Sequence, residues 1–238
     1  MRRILIGAAL IGLSLAAVPA VAQSTQARLK DYRERVERLE DADAVENLQA
    51  YFGFFFDKGL WADTADLFAA NASFEYGQRG VYFGKQRIAR ALLLFGPEGL
   101  APGYLNSHMQ LQPIITVAPD GRTAKGRFQG MVMLSRPGAN GAWGVGIYEN
   151  TYVKEGGIWK IASLHFYVTA MTDYDLGFMK SALPMDGPSA LFPPDRPPSE
   201  AYRSFPAAYI PPFSYVHPVT GKSLEAIPHP ADTVVGRK

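Results

Sequence analysis

The chain has 238 residues, with 24 Lys and Arg against 22 Asp and Glu, and a formal net charge of +2. This balance lacks the basic excess that non-specific nucleic-acid binding requires, so we expect no nucleic-acid partner. Cysteine is absent, which excludes disulfides and thiol chemistry. The 14 Phe, 12 Tyr and 3 Trp suit a core and also a pocket for an aromatic ligand.

Residues 1–22 have the three-part pattern of a secretory signal peptide. Arg2 and Arg3 form a positive start, residues 4–18 are apolar, and residues 20–22 are an A-x-A cleavage site before Gln23. The apolar run is too short for a membrane anchor, so we expect no membrane span in the mature form. We predict a periplasmic or secreted bacterial protein of about 216 residues, enough for one sizeable core.

Two stretches before residue 59 have helical periodicity. In residues 23–40, apolar side chains recur three and four positions apart in a charged segment, which predicts an N-terminal helical extension. Asp41 and Asp43 then offer an N-cap, with Glu46 at the capping-box spacing from Asp43, and an apolar stripe runs to a stop at Gly59. The apolar positions are Leu29, Tyr32, Val36 and Leu39, then Val45, Leu48, Phe52 and Phe55.

The following segment alternates helices with strands and ends in long strands. A helix is predicted at 61–70, a strand at 73–76, a short strand at 81–83 and a helix at 85–95. Helices followed by long antiparallel strands predict an α+β fold over residues 41–180, a cone-shaped curved antiparallel sheet wrapped around the N-terminal helices. The long strands are predicted at 105–117, 122–135, 143–154 and 158–169.

The C-terminal segment, residues 181–238, has a different composition. It contains 12 of the 18 prolines together with several aromatic side chains, which disordered segments usually lack. We predict an extended arm that packs on its own domain or on a neighbouring subunit, and a flexible linker is the alternative. The aromatic residues are Phe192, Tyr202, Phe205, Tyr209, Phe213 and Tyr215.

Asp57, Tyr76 and His108 are the candidate catalytic residues. A free imidazole has a pKa of about 6.5 and accepts a proton near neutral pH, so His108 is the candidate general base. Asp57 would accept its other ring N–H and fix the tautomer, and Tyr76 would donate to a substrate oxygen. Strand alternation places His108, Gln110 and Gln112 on one face of the strand. These polar side chains would either line a cavity or face the solvent. A structural role is the alternative for each catalytic candidate.

Four sequence segments resemble the SnoaL-like, or nuclear-transport-factor-2-like, superfamily over about residues 40–175. Residues 56–61, Tyr76, His108 and the closing Gly-x-Trp-Lys at 157–160 resemble scytalone dehydratases and lindane dehydrochlorinases. The resemblance implies a cone around an apolar cavity, lyase chemistry without a cofactor, and a homo-oligomer, either a trimer or a dimer. It also implies that Asp57, Tyr76 and His108 correspond to catalytic residues of the dehydratases.

The substrate-binding positions depart from the dehydratase pattern. Phe56 stands where that family has a second tyrosine, and Met133 stands near its second histidine. Gly146 and Tyr148 replace a serine and an asparagine that hold substrate. The resemblance therefore implies a related reaction on a different substrate. The candidate substrate-binding residues are Phe56, Tyr104, Tyr148, Asn150, Tyr152, His165, Met133 and Arg79.

Strand positions support several of these candidates. Tyr148, Asn150 and Tyr152 alternate along one predicted strand and therefore share a face. Together with Tyr104 they would offer hydrogen bonds to a polar aromatic ligand, although packing explains each of them singly. Arg79 would bind an acidic group or lie in solvent. The histidines lack metal spacing, and neither a phosphate loop nor a nucleophile elbow occurs, so we expect no metal and no cofactor.

The proline-rich arm adds a second resemblance. Residues 211–213 and 217–221, Pro-Pro-Phe and His-Pro-Val-Thr-Gly, are similar to the arm of diarylpropane and phenylcoumaran formaldehyde lyases from lignin-degrading bacteria. The sequence therefore predicts a cofactor-independent lyase, of the elimination, dehydratase or formaldehyde-releasing type, on a lignin-like aromatic small molecule. The alternatives are a non-catalytic small-molecule binding protein, an isomerase and an assembly module.

Overall fold

The computed structural model describes residues 24–224. The predicted signal peptide at 1–22 and the last part of the predicted arm, 225–238, lie outside the described residues. The chain divides into two compact units at Val36, within the first helix. The first unit contributes the exposed start of that helix, and the second contains the sheet and the arm. Between residues 24 and 224, no helix is long and apolar enough to cross a membrane.

Helix α1 (Thr25–Asp57) is continuous and does not break at the predicted N-cap. The Asp41 side chain is buried and accepts hydrogen bonds from Trp159 Nε1 at 2.8 Å and from Lys154 Nζ at 2.6 Å. Asp41 is therefore held by the final hairpin of the chain and caps no helix. The predicted helix start at Asp43 is wrong, because the helical hydrogen bonds run through it.

One face of α1 is buried beyond residue 40, at helical spacing. Four of its buried residues are at most 1 % exposed: Val45, Gln49, Phe52 and Phe56. The predicted apolar stripe contained Leu48, but this side chain is only half-buried. The structure buries the neighbouring Gln49 instead. The polar Gln49 therefore needs partners inside the domain.

Six strands form one sheet: β1 (Phe68–Tyr76), β2 (Val81–Phe83), β3 (Leu105–Val117), β4 (Thr123–Ser135), β5 (Ala142–Glu155) and β6 (Ile158–Asp173). Their order is β2-β1-β6-β5-β4-β3, and every neighbouring pair is antiparallel except β1 and β6, which are parallel. The remaining helices are α2 (Trp61–Asp66), α3 (Lys85–Leu92) and a 3₁₀ turn (Leu93–Phe95). The predicted α+β fold, with a curved sheet after N-terminal helices, is confirmed, and the sheet is mixed. Helix α2 ends before residue 70 because β1 already pairs with β6 at Phe68.

A bulge in β3 changes which side chains face the core. Gln112 has a φ of 51°, and the register with β4 shifts at this point. Before the bulge His108 is buried, and after it Ile115 and Val117 pack against the core. One extra residue reverses the alternation of a strand. Gln112 is therefore exposed, and the predicted row that it shared with His108 and Gln110 ends at Gln110.

The described part of the arm, residues 181–224, packs on the outer face of the sheet, the face turned away from α1. Ser199 donates its N–H and its hydroxyl to the Glu75 carboxylate at 2.8 and 2.7 Å. The rings of Tyr202 and Tyr209 stack with their centroids 4.1 Å apart, and both rings contact Tyr167 of β6. The arm is therefore attached to its own domain by buried polar and aromatic contacts.

Candidate active site

The end of α1 presents the Asp57 carboxylate to the sheet. The chain turns at Gly59, which has a φ of 62°, and Asn106 Nδ2 donates to the carbonyl of Phe56 at 3.2 Å. A carboxylate is unfavourable at a helix C-terminus, because the dipole there is negative. Asp57 is therefore stabilised by a partner outside the helix.

That partner is His108 on β3. Asp57 Oδ1 lies 3.0 Å from His108 Nδ1, and the Tyr76 hydroxyl lies 3.3 Å from His108 Nε2. The side chain of His108 is 1 % exposed and that of Asp57 is 16 % exposed. The structure thus brings the three candidate catalytic residues into one chain of acid, imidazole and phenol, which we call the catalytic triad candidate.

The protons of this triad candidate follow from its partners. A carboxylate only accepts, so Nδ1 of His108 carries the proton that is shared with Asp57. Nε2 is then an acceptor for the Tyr76 hydroxyl. Burial raises the pKa of Tyr76 well above its ordinary value, with a smaller contribution from the nearby Tyr148, so the phenol remains a donor. His108 therefore has a basic nitrogen whose lone pair already receives an O–H.

Aromatic rings pack around the imidazole and the phenol of the triad candidate. The Phe56 ring meets the His108 ring edge to face, with centroids 4.7 Å apart. Phe95 contacts the rings of Phe56 and Tyr76, both at 4.8 Å. Phe56, predicted as substrate-binding, therefore lies against the imidazole. Low polarity around these charges strengthens the interaction between acid and imidazole.

A buried polar network adjoins His108. Gln110 Nε2 donates to the His108 carbonyl at 2.8 Å, and Gln49 Nε2 donates to Gln110 Oε1 at 2.8 Å. Gln49 Oε1 in turn accepts from Asn150 Nδ2 at 2.9 Å and from the Tyr152 hydroxyl at 2.8 Å. Asn150 and Tyr152, predicted to bind substrate, are thus engaged with Gln49. The sequence signal for Gln49 was a polar residue on the apolar face of α1, and our sequence analysis missed it.

The other predicted binding residues on this side differ in exposure. Tyr148 is 1 % exposed, and burial raises its pKa, so its phenol stays protonated. Tyr104 is 37 % exposed and borders the space beside Asp57. Arg79 lies over the ring of Phe95, with its guanidinium carbon 5.2 Å from the centroid. These three residues therefore lie near the triad candidate at different depths.

Met133 and His165 lie on the outer face of the sheet, so their predicted contact with a substrate beside His108 is wrong. Met133 follows the core residue Val132, and alternation turns it the other way. His165 Nδ1 lies 3.6 Å from Glu75 Oε2, beneath the arm. Burial lowers the pKa of His165 to about 4. Met133 was predicted from a count along the dehydratase pattern and His165 from its place in the last strand, and neither criterion gives the face of the strand.

Phe166 explains one departure from the dehydratase pattern. A Cβ at Gly146 would come within 2.4 Å of the Phe166 ring, and a Cβ at Gly130 within 2.6 Å. Gly130 and Gly146 are direct neighbours on β4 and β5, so the ring lies across both glycines. Tyr148 packs on the same ring with centroids 4.2 Å apart. An aromatic side chain thus fills the space that a serine at position 146 would need.

A family model for the SnoaL-like domain matches residues 37–165, which is more than half of the chain. The chain belongs to the SnoaL-like family. The matched segment includes Asp57, Tyr76 and His108, and it ends at His165 on β6. No match was found among curated proteins.

Solved structures share the SnoaL-like fold at low sequence identity. A protein assigned as a scytalone dehydratase from Novosphingobium aromaticivorans DSM 12444 is 20 % identical with a TM-score of 0.51, and the match covers 66 % of this chain and 97 % of that one. A type 2 hexachlorocyclohexane dehydrochlorinase (LinA) is 19 % identical with a TM-score of 0.50, and the match covers 58 % and 92 %. At these identities the likeness shows the fold alone.

The interior of this SnoaL-like domain is nearly filled around the triad candidate. The cavity that reaches Asp57 has a volume of about 30 Å³, which holds about one or two water molecules. It is bordered by Phe95, Tyr104, Arg136 and several residues of the loop 96–103. An aromatic substrate therefore fits this cavity only if Phe95 or this loop moves. Within residues 24–224, no group of three or more His, Asp or Glu side chains is arranged to hold a metal ion.

A larger space lies on the outer face of the SnoaL-like domain. A groove of about 880 Å³ runs between the sheet and the arm, and Ile114, Val153 and Tyr215 are among its apolar walls. Lys125 is the charged residue among those that line it. The groove lacks an acid paired with a base, so it offers a surface for binding but not for proton transfer.

Proposed function

We propose that the protein is a cofactor-independent lyase of the bacterial periplasm that acts on an apolar, lignin-like aromatic molecule. The observation that carries the proposal is the buried chain Asp57–His108–Tyr76. Ionisable groups enclosed at hydrogen-bond distance are characteristic of sites for proton transfer, because burial penalises them elsewhere. Solved proteins of the same fold carry the names dehydratase and dehydrochlorinase, both of which denote eliminations.

The triad candidate suits removal of a hydroxyl proton. Nε2 of His108 accepts the Tyr76 hydroxyl at 3.3 Å, a long hydrogen bond that a substrate hydroxyl can replace. His108 then takes the substrate proton, and Asp57 stabilises the imidazolium that forms. Tyr76, released from the imidazole, donates its O–H to a second oxygen of the substrate. His108 is thus available as a base and Tyr76 as an acid, on two side chains that lie next to each other.

A 1,2-diarylpropane-1,3-diol illustrates a balanced reaction. His108 removes the proton of the terminal hydroxyl, and the bond between the terminal carbon and its neighbour breaks, which releases formaldehyde. The electron pair of that bond forms the central double bond, and the other hydroxyl leaves as water with a proton from Tyr76. Tyr76 recovers this proton from His108. The products are a stilbene, formaldehyde and water, and the reaction needs neither an oxidant nor a reductant.

Formaldehyde and stilbene release from this diol, by the purified mature protein, is the direct test. His108→Ala should lower turnover by about 10²–10⁴-fold, because it removes the general base. His217→Ala, in the arm, is a matched control that should retain turnover. Near-normal turnover by His108→Ala, with circular dichroism equal to that of the wild type, would refute the mechanism.

The groove of about 880 Å³ between the sheet and the arm favours a second candidate, a non-catalytic binding protein for small aromatic molecules, because its walls are mostly apolar and lack a paired acid and base. In that case the same diol would raise the melting temperature without being consumed. His108→Ala and the wild type would then bind it with equal affinity, because no step depends on the imidazole. Thermal-shift measurements and product analysis on the same samples separate the two candidates.

A further inference from the structure

Arg79 is a partly buried cation next to the triad candidate. Its side chain is 17 % exposed, and its backbone N–H donates to the Tyr76 carbonyl at 3.2 Å. The guanidinium lies over Phe95, and the same ring contacts Tyr76 and borders the cavity at Asp57. Arg79 is therefore separated from that cavity by a single aromatic ring.

The anion that pairs with Arg79 is far more exposed than Arg79 itself. Asp186 of the arm forms an ion pair with the guanidinium, and its side chain is 72 % exposed. In the ion pair between Arg127 and Glu149, by contrast, the side chains are 12 % and 10 % exposed. A secluded guanidinium needs an anion, because an unpaired buried charge is destabilising. An exposed carboxylate leaves easily, because water hydrates and screens it.

We propose that Arg79 binds the carboxylate of the substrate, that Asp186 occupies this position when no substrate is present, and that the substrate is therefore an aromatic carboxylic acid. This inference rests on the proposed function of the same site. The acid group would lie at Arg79, an aromatic ring would pack against Phe95, and the reacting hydroxyl would lie at His108. A planar guanidinium held over a ring matches a carboxylate with two hydrogen bonds.

The test compares an acid with its amide in calorimetric titrations of the full mature protein. The probes are 3-(4-hydroxyphenyl)propanoate and 3-(4-hydroxyphenyl)propanamide. Wild type should bind the acid more tightly than the amide. Asp186→Asn should tighten acid binding by about tenfold, since one charge-assisted contact no longer competes, and should leave amide binding unchanged. Equal acid-to-amide ratios in wild type and Asp186→Asn would overturn the proposal.

The matched control is Asp195→Asn, which breaks another ion pair between the arm and the domain. Asp195 pairs with Arg87 at 3.0 Å, and its loss loosens the arm without freeing Arg79. This variant should keep the wild-type ratio of acid affinity to amide affinity. If it changes that ratio as much as Asp186→Asn does, the effect comes from loosening the arm and the proposal is overturned. Arg79→Gln should abolish the preference for the acid.

The binding subsite and the reaction fail independently. His108→Gln leaves Arg79 intact, so it should retain the preference for the acid although turnover is lost. An acid preference in a wild-type protein that converts neither the diol nor the same diol with a carboxylate on one ring would support the subsite and remove the lyase. Turnover of the diol without any acid preference would support the lyase and overturn the subsite.

Discussion

The buried His165 makes stability depend on pH. Its imidazole is uncharged in the folded protein, because burial lowers its pKa to about 4, whereas an imidazole in an unfolded chain titrates near about 6.5. Within the described residues, Nε2 of His165 has no hydrogen-bond partner. Lowering the pH from 7 to 5 therefore protonates His165 in the unfolded chain but not in the folded protein.

The size of the effect follows from the two pKa values. Between pH 4 and pH 6.5 the unfolded chain binds more protons at His165, so stability is lost as the pH falls. With pKa values of about 4 and about 6.5, the free energy of unfolding decreases by about 2 kcal/mol between pH 7 and pH 5. Glu75 acts in the opposite direction, because burial raises its pKa and the folded protein takes up its proton more readily. The total change in the wild type is therefore smaller.

Urea unfolding of the wild type and of His165→Gln, each at pH 7 and pH 5, isolates the contribution of His165. The variant retains Glu75 but has no imidazole at this position. The wild type should lose about 2 kcal/mol more than the variant between the two pH values. Identical pH dependences would refute the reasoning and would mean that water reaches His165 beneath the arm.

Three further substitutions test other parts of the structure. Asp57→Asn should lower turnover of the diol by about 10²–10⁴-fold, because the amide no longer fixes the His108 tautomer, and an unchanged rate would contradict that role. Gly146→Ser should lower the free energy of unfolding by about 1–3 kcal/mol, since its Cβ would collide with the Phe166 ring, and an unchanged melting temperature would argue against that packing. Asp41→Asn should lower the free energy of unfolding by about 1–3 kcal/mol, because it weakens the contact with Lys154, and an unchanged free energy of unfolding would show that the hairpin docks without this acid.

The acid–imidazole pair was predictable because each member lies at the end of a recognisable element. Gly59 indicated where α1 ends, and the Gly- and Pro-rich loop indicated where β3 begins. The resemblance to the dehydratases implied that Asp57 and His108 correspond to catalytic residues of one site, so the two were expected to meet. The fold class and the strand positions followed from the same periodicities, because strand lengths were bounded by turn residues.

Other features depended on local geometry that periodicity does not report. The bulge at Gln112 inserts one residue and reverses the strand, so alternation counted across it fails. Met133 was assigned to the site by alignment position and His165 by its place in the last predicted strand, and neither criterion distinguishes the two faces of a strand. The role of Asp41 depended on Trp159, more than a hundred residues away, because the indole engages the acid that the sequence offered as a cap.

The SnoaL-like domain and the arm contribute different groups to the candidate site. The solved scytalone dehydratase-like structure covers 66 % of this chain, and the SnoaL-like match ends at residue 165, so the arm lies beyond that match. The triad candidate lies within the matched part, whereas Asp186, which neutralises Arg79, lies in the arm. On the proposed mechanism, the SnoaL-like domain contributes the groups that move protons, and the arm contributes Asp186, the anion that a substrate carboxylate would replace. On this argument, changes in the arm alter which molecule binds while leaving the chemistry of His108 intact.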